Sequence, residues 1–171
     1  MASEEFGVMN RGFTLLYICT MLLVLAGCTS IDCPLNSSVY SYYGLYKADG
    51  TADTLNDTLT IITRQLTPEQ DPVLINQDTK VSRLKVAMSY DSPQDVLYFL
   101  MHGSRTYNDT VTVEKTDEMH FESVDCNPSF FHTISHVTHT KHVIDSIVIQ
   151  NPKVDYDSQR EHFRIYFRTL D

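Results

Sequence analysis

Alternation with a period of two, in short runs, constrains this chain more than any other feature. Phe163, Ile165 and Phe167 alternate with His162, Arg164, Tyr166 and Arg168, the signature of a strand with one face buried. Leu84, Val86, Met88 and Tyr90 alternate in the same way with Arg83, Lys85, Ala87 and Ser89. Further β-type runs are Tyr40 to Tyr46, Leu59 to Ile62, Thr110 to Glu114, Met119 to Cys126, Phe130 to Thr138 and Val143 to Gln150. Val96 to Met101 is apolar on both faces and is expected to be central in a sheet. Turn chemistry separates the runs: Ala48-Asp49-Gly50, Asp91-Ser92-Pro93, Asn108-Asp109 and Asn127-Pro128. Met119 to Cys126 is expected to fold back as a hairpin on the strand before it. No long stretch beyond the N-terminal segment carries a helical stripe. About eight or nine short strands at this spacing predict an all-β fold, a single β-sandwich, Ig-like in broad architecture.

The N-terminus obeys other rules. Phe13 to Ala26 is an apolar run of fourteen residues, too short to span a bilayer with confidence. Arg11 precedes it, and small residues close it ahead of a cysteine, as in a secretory signal. Glu4 and Glu5 are foreign to a basic n-region, and Met9 offers an alternative start. Leu25-Ala26-Gly27-Cys28 resembles the lipobox of bacterial lipoproteins. That resemblance implies diacylation of the Cys28 thiol, removal of residues 1–27 and acylation of the new amino terminus. Three acyl chains, at ~0.8 kcal/mol per buried methylene, hold a protein on a membrane without an apolar helix. The expected organisation is a signal peptide over 1–27, a lipidated tether over 28–38 and a sandwich domain over 39–171. Thr29 after Cys28 points to the outer membrane by analogy with enterobacterial sorting.

Removal of the signal takes Glu4, Glu5 and Arg11 and changes the net charge from −9 to −8. An acidic chain without a basic run excludes nucleic acid as a partner class and anionic lipid docking by charge. Of the four cysteines, Cys19 leaves with the signal and Cys28 takes lipid. Cys33 and Cys126 remain in a compartment that permits disulfides. Pairing is the economical reading; two free buried thiols are the alternative.

Several stretches carry a family resemblance: Asp32-Cys33-Pro34-Leu35-Asn36 after Cys28, His120-Phe121-Glu122-Ser123-Val124-Asp125-Cys126, Ile144-Asp145-Ser146-Ile147, and His162-Phe163-Arg164-Ile165-Tyr166-Phe167. They are similar to a family of small Bacteroidota envelope lipoproteins, the domain-of-unknown-function family numbered 6452. The resemblance implies a small envelope β-domain with two cysteines and brings no catalytic residue with it.

Candidate chemistry is sparse. Six of the seven histidines lie from His120 onward. His132 and His136 on one strand would share a face, about 13 Å apart, too far for one ion. His139 and His142, around a loop, are the weak metal candidates. Ser135-His136 and Asp145-Ser146 supply the ingredients of a hydrolase, but no Gly-x-Ser-x-Gly elbow frames a serine. No cofactor motif is present, and Asp49 to Asp53 lacks the order of a calcium loop. Tyr40, Tyr42 and Tyr46 alternate to one face, a candidate stripe for a glycan or protein partner. A strand face covered by its neighbours is the competing reading. Asp-Ser/Thr before an apolar residue recurs at Thr54, Thr58, Thr110 and Ser146, resembling the O-glycosylation acceptor of exported Bacteroidota proteins; the same pattern also marks turns entering strands. The expected function is a non-enzymatic binding or accessory module on the envelope, with a histidine metal site or a hydrolase as alternatives.

Overall fold

Ten strands account for the alternation, in a computed structural model that describes residue 33, residues 38–64 and residues 72–168. They are β1 (Tyr40–Tyr46), β2 (Thr58–Thr63), β3 (Val73–Asp78), β4 (Arg83–Ala87), β5 (Gln94–His102), β6 (Thr106–His120), β7 (Ser129–His139), β8 (Ile144–Ile149), β9 (Lys153–Val154) and β10 (Phe163–Phe167). No helix occurs among the described residues. The strands all lie in the unit Pro34–Asp171; the other unit, Met1–Cys33, is described only at Cys33.

A four-stranded sheet in the order β4-β1-β10-β8 packs against a six-stranded sheet in the order β3-β2-β5-β6-β7-β9. The first and last strands, β1 and β10, pair in parallel, and every other pairing is antiparallel. The core lies between the sheets. Tyr43, Leu45, Leu84, Val86, Phe163 and Ile165 enter it from one side, and Leu59, Ile61, Leu97, Phe99, Val111, Val113 and Ile134 from the other. Tyr43 and Phe163, opposite each other in the parallel register, stack with ring centroids 4.5 Å apart. Burying a large apolar side chain contributes roughly 1.5–3 kcal/mol, so this double layer is where the folding energy resides.

Three sequence expectations change in the fold. The strand count is ten, because β3 and β9 join the sheets as edges. Only Ile75 of β3 is buried, and β9 has two residues, so neither has an alternation to read. Short, irregular edges leave little unpaired backbone for another chain to extend. Met119 to Cys126 is not a folded-back strand: β6 runs unbroken to His120, and its partner is β7, with His120 opposite Ser129. Val96 to Met101 is central, between β2 and β5's other neighbour β6, yet only Leu97, Phe99 and Met101 are buried and Val96, Tyr98 and Leu100 are half-buried.

A bulge corrects one further detail. Lys115 lies opposite Ile134 and Glu114 opposite His136, so Ser135 is an extra residue in β7. One inserted residue reverses the alternation that follows. His132 therefore faces the core and His136 faces solvent, and the two do not share a face.

Candidate functional site

The outer face of the four-stranded sheet is aromatic and cationic. Ser41, Tyr43 and Leu45 of β1 are buried, so Tyr40, Tyr42 and Tyr46 take the opposite face, each half-buried. The register sets Tyr42 beside Lys85, Gly44 beside Arg83 and Arg164, and Tyr46 beside Tyr166. A cation sits over each tyrosine of the stripe, drawn to the negative ring face. Lys85 Nζ is 4.0 Å from the Tyr40 centroid, and the Arg83 and Arg164 guanidinium carbons are 4.5 Å and 4.8 Å from those of Tyr42 and Tyr46. Gly44 makes the pattern possible: a Cβ there would clash with the Glu161 carboxylate. The Glu161 carboxylate fills that space, accepting from the Tyr46 hydroxyl at 2.9 Å and from Arg164 Nε at 2.7 Å. Burial and then Glu161 push the Tyr46 hydroxyl above the ordinary tyrosine value.

Beneath this face His162 is fully buried and stacks on Tyr42 at 5.9 Å. Its Nδ1 accepts the Tyr42 backbone N–H at 3.0 Å. Its Nε2 has no hydrogen-bond partner within reach, although the Lys153 backbone lies close enough to bear on its titration. Burial holds this imidazole below its ordinary value, so it is neutral with its proton on Nε2.

The inner face of β6 is apolar only in its middle. Asp109, at one end, is buried and accepts hydrogen bonds from Thr140 Oγ1, the backbone N–H of His142, Val143 and Ile144, and His142 Nδ1. Those bonds fix the β7–β8 connection. At the other end the Lys115 side chain is fully buried, and its Nζ donates to the Ser92 carbonyl at 2.8 Å and to both Asp117 oxygens at 2.8 and 3.0 Å. His132 donates from Nδ1 to the same Asp117 at 2.7 Å. Nearby, buried Asp95 accepts a short hydrogen bond from the Ser89 hydroxyl. Burial pushes the Asp95 carboxyl up and the His132 imidazole down, the latter against the pull of Asp117. A neutral imidazole backed by a carboxylate has the protonation state of a base, but here Lys115 holds that carboxylate as well. Buried charges need such partners, and the cluster closes the core.

His132 also lines a cleft of about 310 Å³, together with Ser38, Val39, Met88, Tyr90, Pro128 and Phe130. Beyond the cleft the β6–β7 hairpin projects apolar groups. Met119 and Phe121 are each 53% exposed and Val124 is 96% exposed, and beside them Tyr90 of the β4–β5 connection, stacked on Phe130 at 4.4 Å, is 65% exposed.

A family model matches residues 58–167, β2 through β10. It describes a family of unknown function, DUF6452. The chain belongs to the DUF6452 family. No curated protein and no solved structure matches it. Within this DUF6452 member the matched span holds Arg83, Lys85 and Arg164, while Tyr40, Tyr42, Tyr46 and the cysteines Cys19, Cys28 and Cys33 precede it.

The residues singled out in the sequence fall in different places. Cys28 and the signal lie outside the described residues. Cys33 and Cys126 are each disulfide-bonded, the state that pairing requires of both. His139 and His142 turn apart: His139 Nε2 meets the Asp145 carbonyl and His142 Nδ1 meets Asp109. No group of three metal-ligating side chains occurs among the described residues. Thr54 is exposed in a loop, whereas Thr58, Thr110 and Ser146 are half-buried on β2, β6 and β8. The Asp109-Lys115-Asp117-His132 row escaped sequence reading, although polar residues interrupting the alternation of β6 were its visible sign.

Proposed function

We propose that this DUF6452 member is a lipid-anchored module of the cell envelope that acts by binding, not catalysis, and that its binding face is the outer surface of the four-stranded sheet. The observation that carries this reading is the set of three cations seated over three tyrosines on one sheet of an acidic protein. With the ring faces occupied, the sheet offers solvent the Lys85 ammonium and the remaining guanidinium edges of Arg83 and Arg164, while Arg83 also donates to the Ser158 and Arg160 carbonyls and Glu161 takes the Tyr46 hydroxyl and Arg164 Nε. Guanidinium groups recognise carboxylates and phosphates through directed, paired hydrogen bonds. Tyrosine supplies a rigid amphipathic surface at low entropic cost. A glycan bearing acidic groups matches both. The lipobox-like Leu25-Ala26-Gly27-Cys28 supports the anchor, and Thr29 after it supports placement on the outer membrane.

The test is binding to an immobilised polyuronate, with a neutral glucan as comparison. The acylated protein binds the polyuronate and releases it with added salt, and Arg83→Ala with Lys85→Ala weakens binding about tenfold or more, as loss of two charge-assisted contacts requires. Equal retention on both polysaccharides, or retention unchanged by the double substitution, contradicts the reading.

A further inference from the structure

The apolar end of the sandwich has an occupant that its own chain specifies. Val124 is almost wholly exposed, and Met119 and Phe121 are more than half exposed, Met119 at the turnward end of β6 and Phe121 and Val124 in the connection to β7. Tyr90 and Tyr156, 65% and 41% exposed, flank it on the two faces. Tyr90 stacks on Phe130, while Tyr156 packs edge-on against Phe131 and donates a hydrogen bond to Ser129. An apolar tip collared by amphipathic aromatic side chains is the distribution found where a protein meets the bilayer interface.

The chain enters the sandwich at this end. The Met88 N–H donates to the Val39 carbonyl, so β1 begins beside the segment that carries Tyr90. Ser38 and Val39 line one cleft with Tyr90, Pro128 and Phe130. The tether therefore joins the sandwich at the same end as the tip. From Cys28 to Ser38 is ten residues, at most ~35 Å when fully extended.

We infer that Met119, Phe121 and Val124 insert into the bilayer surface that holds the acyl chains of Cys28, so that the sandwich stands on its β6–β7 hairpin with the cationic sheet turned to the side. The inference rests on the anchoring reading. Glu118, Glu122 and Asp125 share the segment, so the surface it fits is zwitterionic and acidic lipid weakens the contact.

The chain contains no tryptophan, so a single substitution supplies a unique fluorophore. Acylated Phe121→Trp is reconstituted in phosphatidylcholine vesicles carrying brominated acyl chains. Tyr107→Trp, near the opposite end of β6, serves as the comparison. Insertion to ~5–10 Å quenches the Phe121→Trp emission about twofold or more and leaves Tyr107→Trp unchanged. Acylated protein in which Phe121→Trp is quenched no more than Tyr107→Trp overturns the tip's insertion alone. Protein whose intact mass shows no acylation overturns the anchoring reading and this inference with it.

Discussion

Replacing Asp109 with asparagine probes the polar closure of the core at its best-defined point. The carboxylate is fully buried, and its Oδ2 accepts from the Val143 and Ile144 N–H groups at 2.8 and 2.9 Å while Oδ1 serves Thr140 and His142. An amide has one acceptor oxygen. In the place of Oδ2 its NH2 group faces the Val143 and Ile144 N–H groups; in the place of Oδ1 it still faces the His142 N–H, although the Thr140 hydroxyl can rotate to accept. At least one buried donor is left unpaired, so Asp109→Asn is expected to lose ~1–3 kcal/mol. For a domain of this size that is a fall in Tm of roughly 3–10 °C, read by scanning calorimetry on the mature protein. Asp145→Asn, at an exposed position, serves as control. The acid limb tests the same reasoning. Burial pulls the Asp109 carboxyl up, but its hydrogen bonds outweigh burial and hold it below the ordinary carboxylate value. Its contribution is present above about pH 4 and is lost as pH falls through the depressed value. The variant should therefore show a shallower loss of stability below pH ~4. A destabilisation under ~0.5 kcal/mol, typical of a surface change, would refute the argument.

Three further outcomes follow from the same structure. Burial holds His132 and His162 below the ordinary imidazole value, so the unfolded chain binds protons more readily. Their contribution is full above pH ~6.5 and falls as pH drops below it; the urea midpoint should decline from pH 7.5 to pH 6, and a flat or rising midpoint contradicts this. Cys33 and Cys126 are separated by 93 residues, so the Cys126→Ser variant is expected to lose stability up to a ceiling of about 4–5 kcal/mol; non-reducing peptide mapping that recovers both as alkylatable thiols would contradict the pairing. If the Asp-Ser/Thr motifs accept sugar, exposed Thr54 is the first site used, and intact mass from the native host should drop on Thr54→Ala.

The parts of the fold that were legible in sequence are those where one face is buried and the other wet. β10 and β4 declare themselves through Phe163, Ile165 and Phe167 and through Leu84 and Val86, because each inward residue is apolar. β3 and β9 were invisible for the opposite reason: an edge strand that buries one side chain has no pattern to show. The long β6 was divided because Lys115 and Asp117 occupy inward positions, and a lysine on the core face reads as solvent-facing until its partners Ser92 and Asp117 are placed. The bulge at Ser135 has no sequence sign, and it alone separates His132 from His136. The tyrosine stripe was legible as a stripe, but its cations come from β4 and β10, so only the register could seat Lys85, Arg83 and Arg164 over the rings.

The lipid anchor underlies the proposed binding role, and metabolic labelling of the native host with an alkyne fatty-acid analogue tests it most directly. Wild-type protein is expected to carry the label, to have lost residues 1–27 and to sediment with membranes. Cys28→Ser should be unlabelled and should retain its signal. Undiminished label on Cys28→Ser, or an unlabelled wild-type protein, would contradict the assignment.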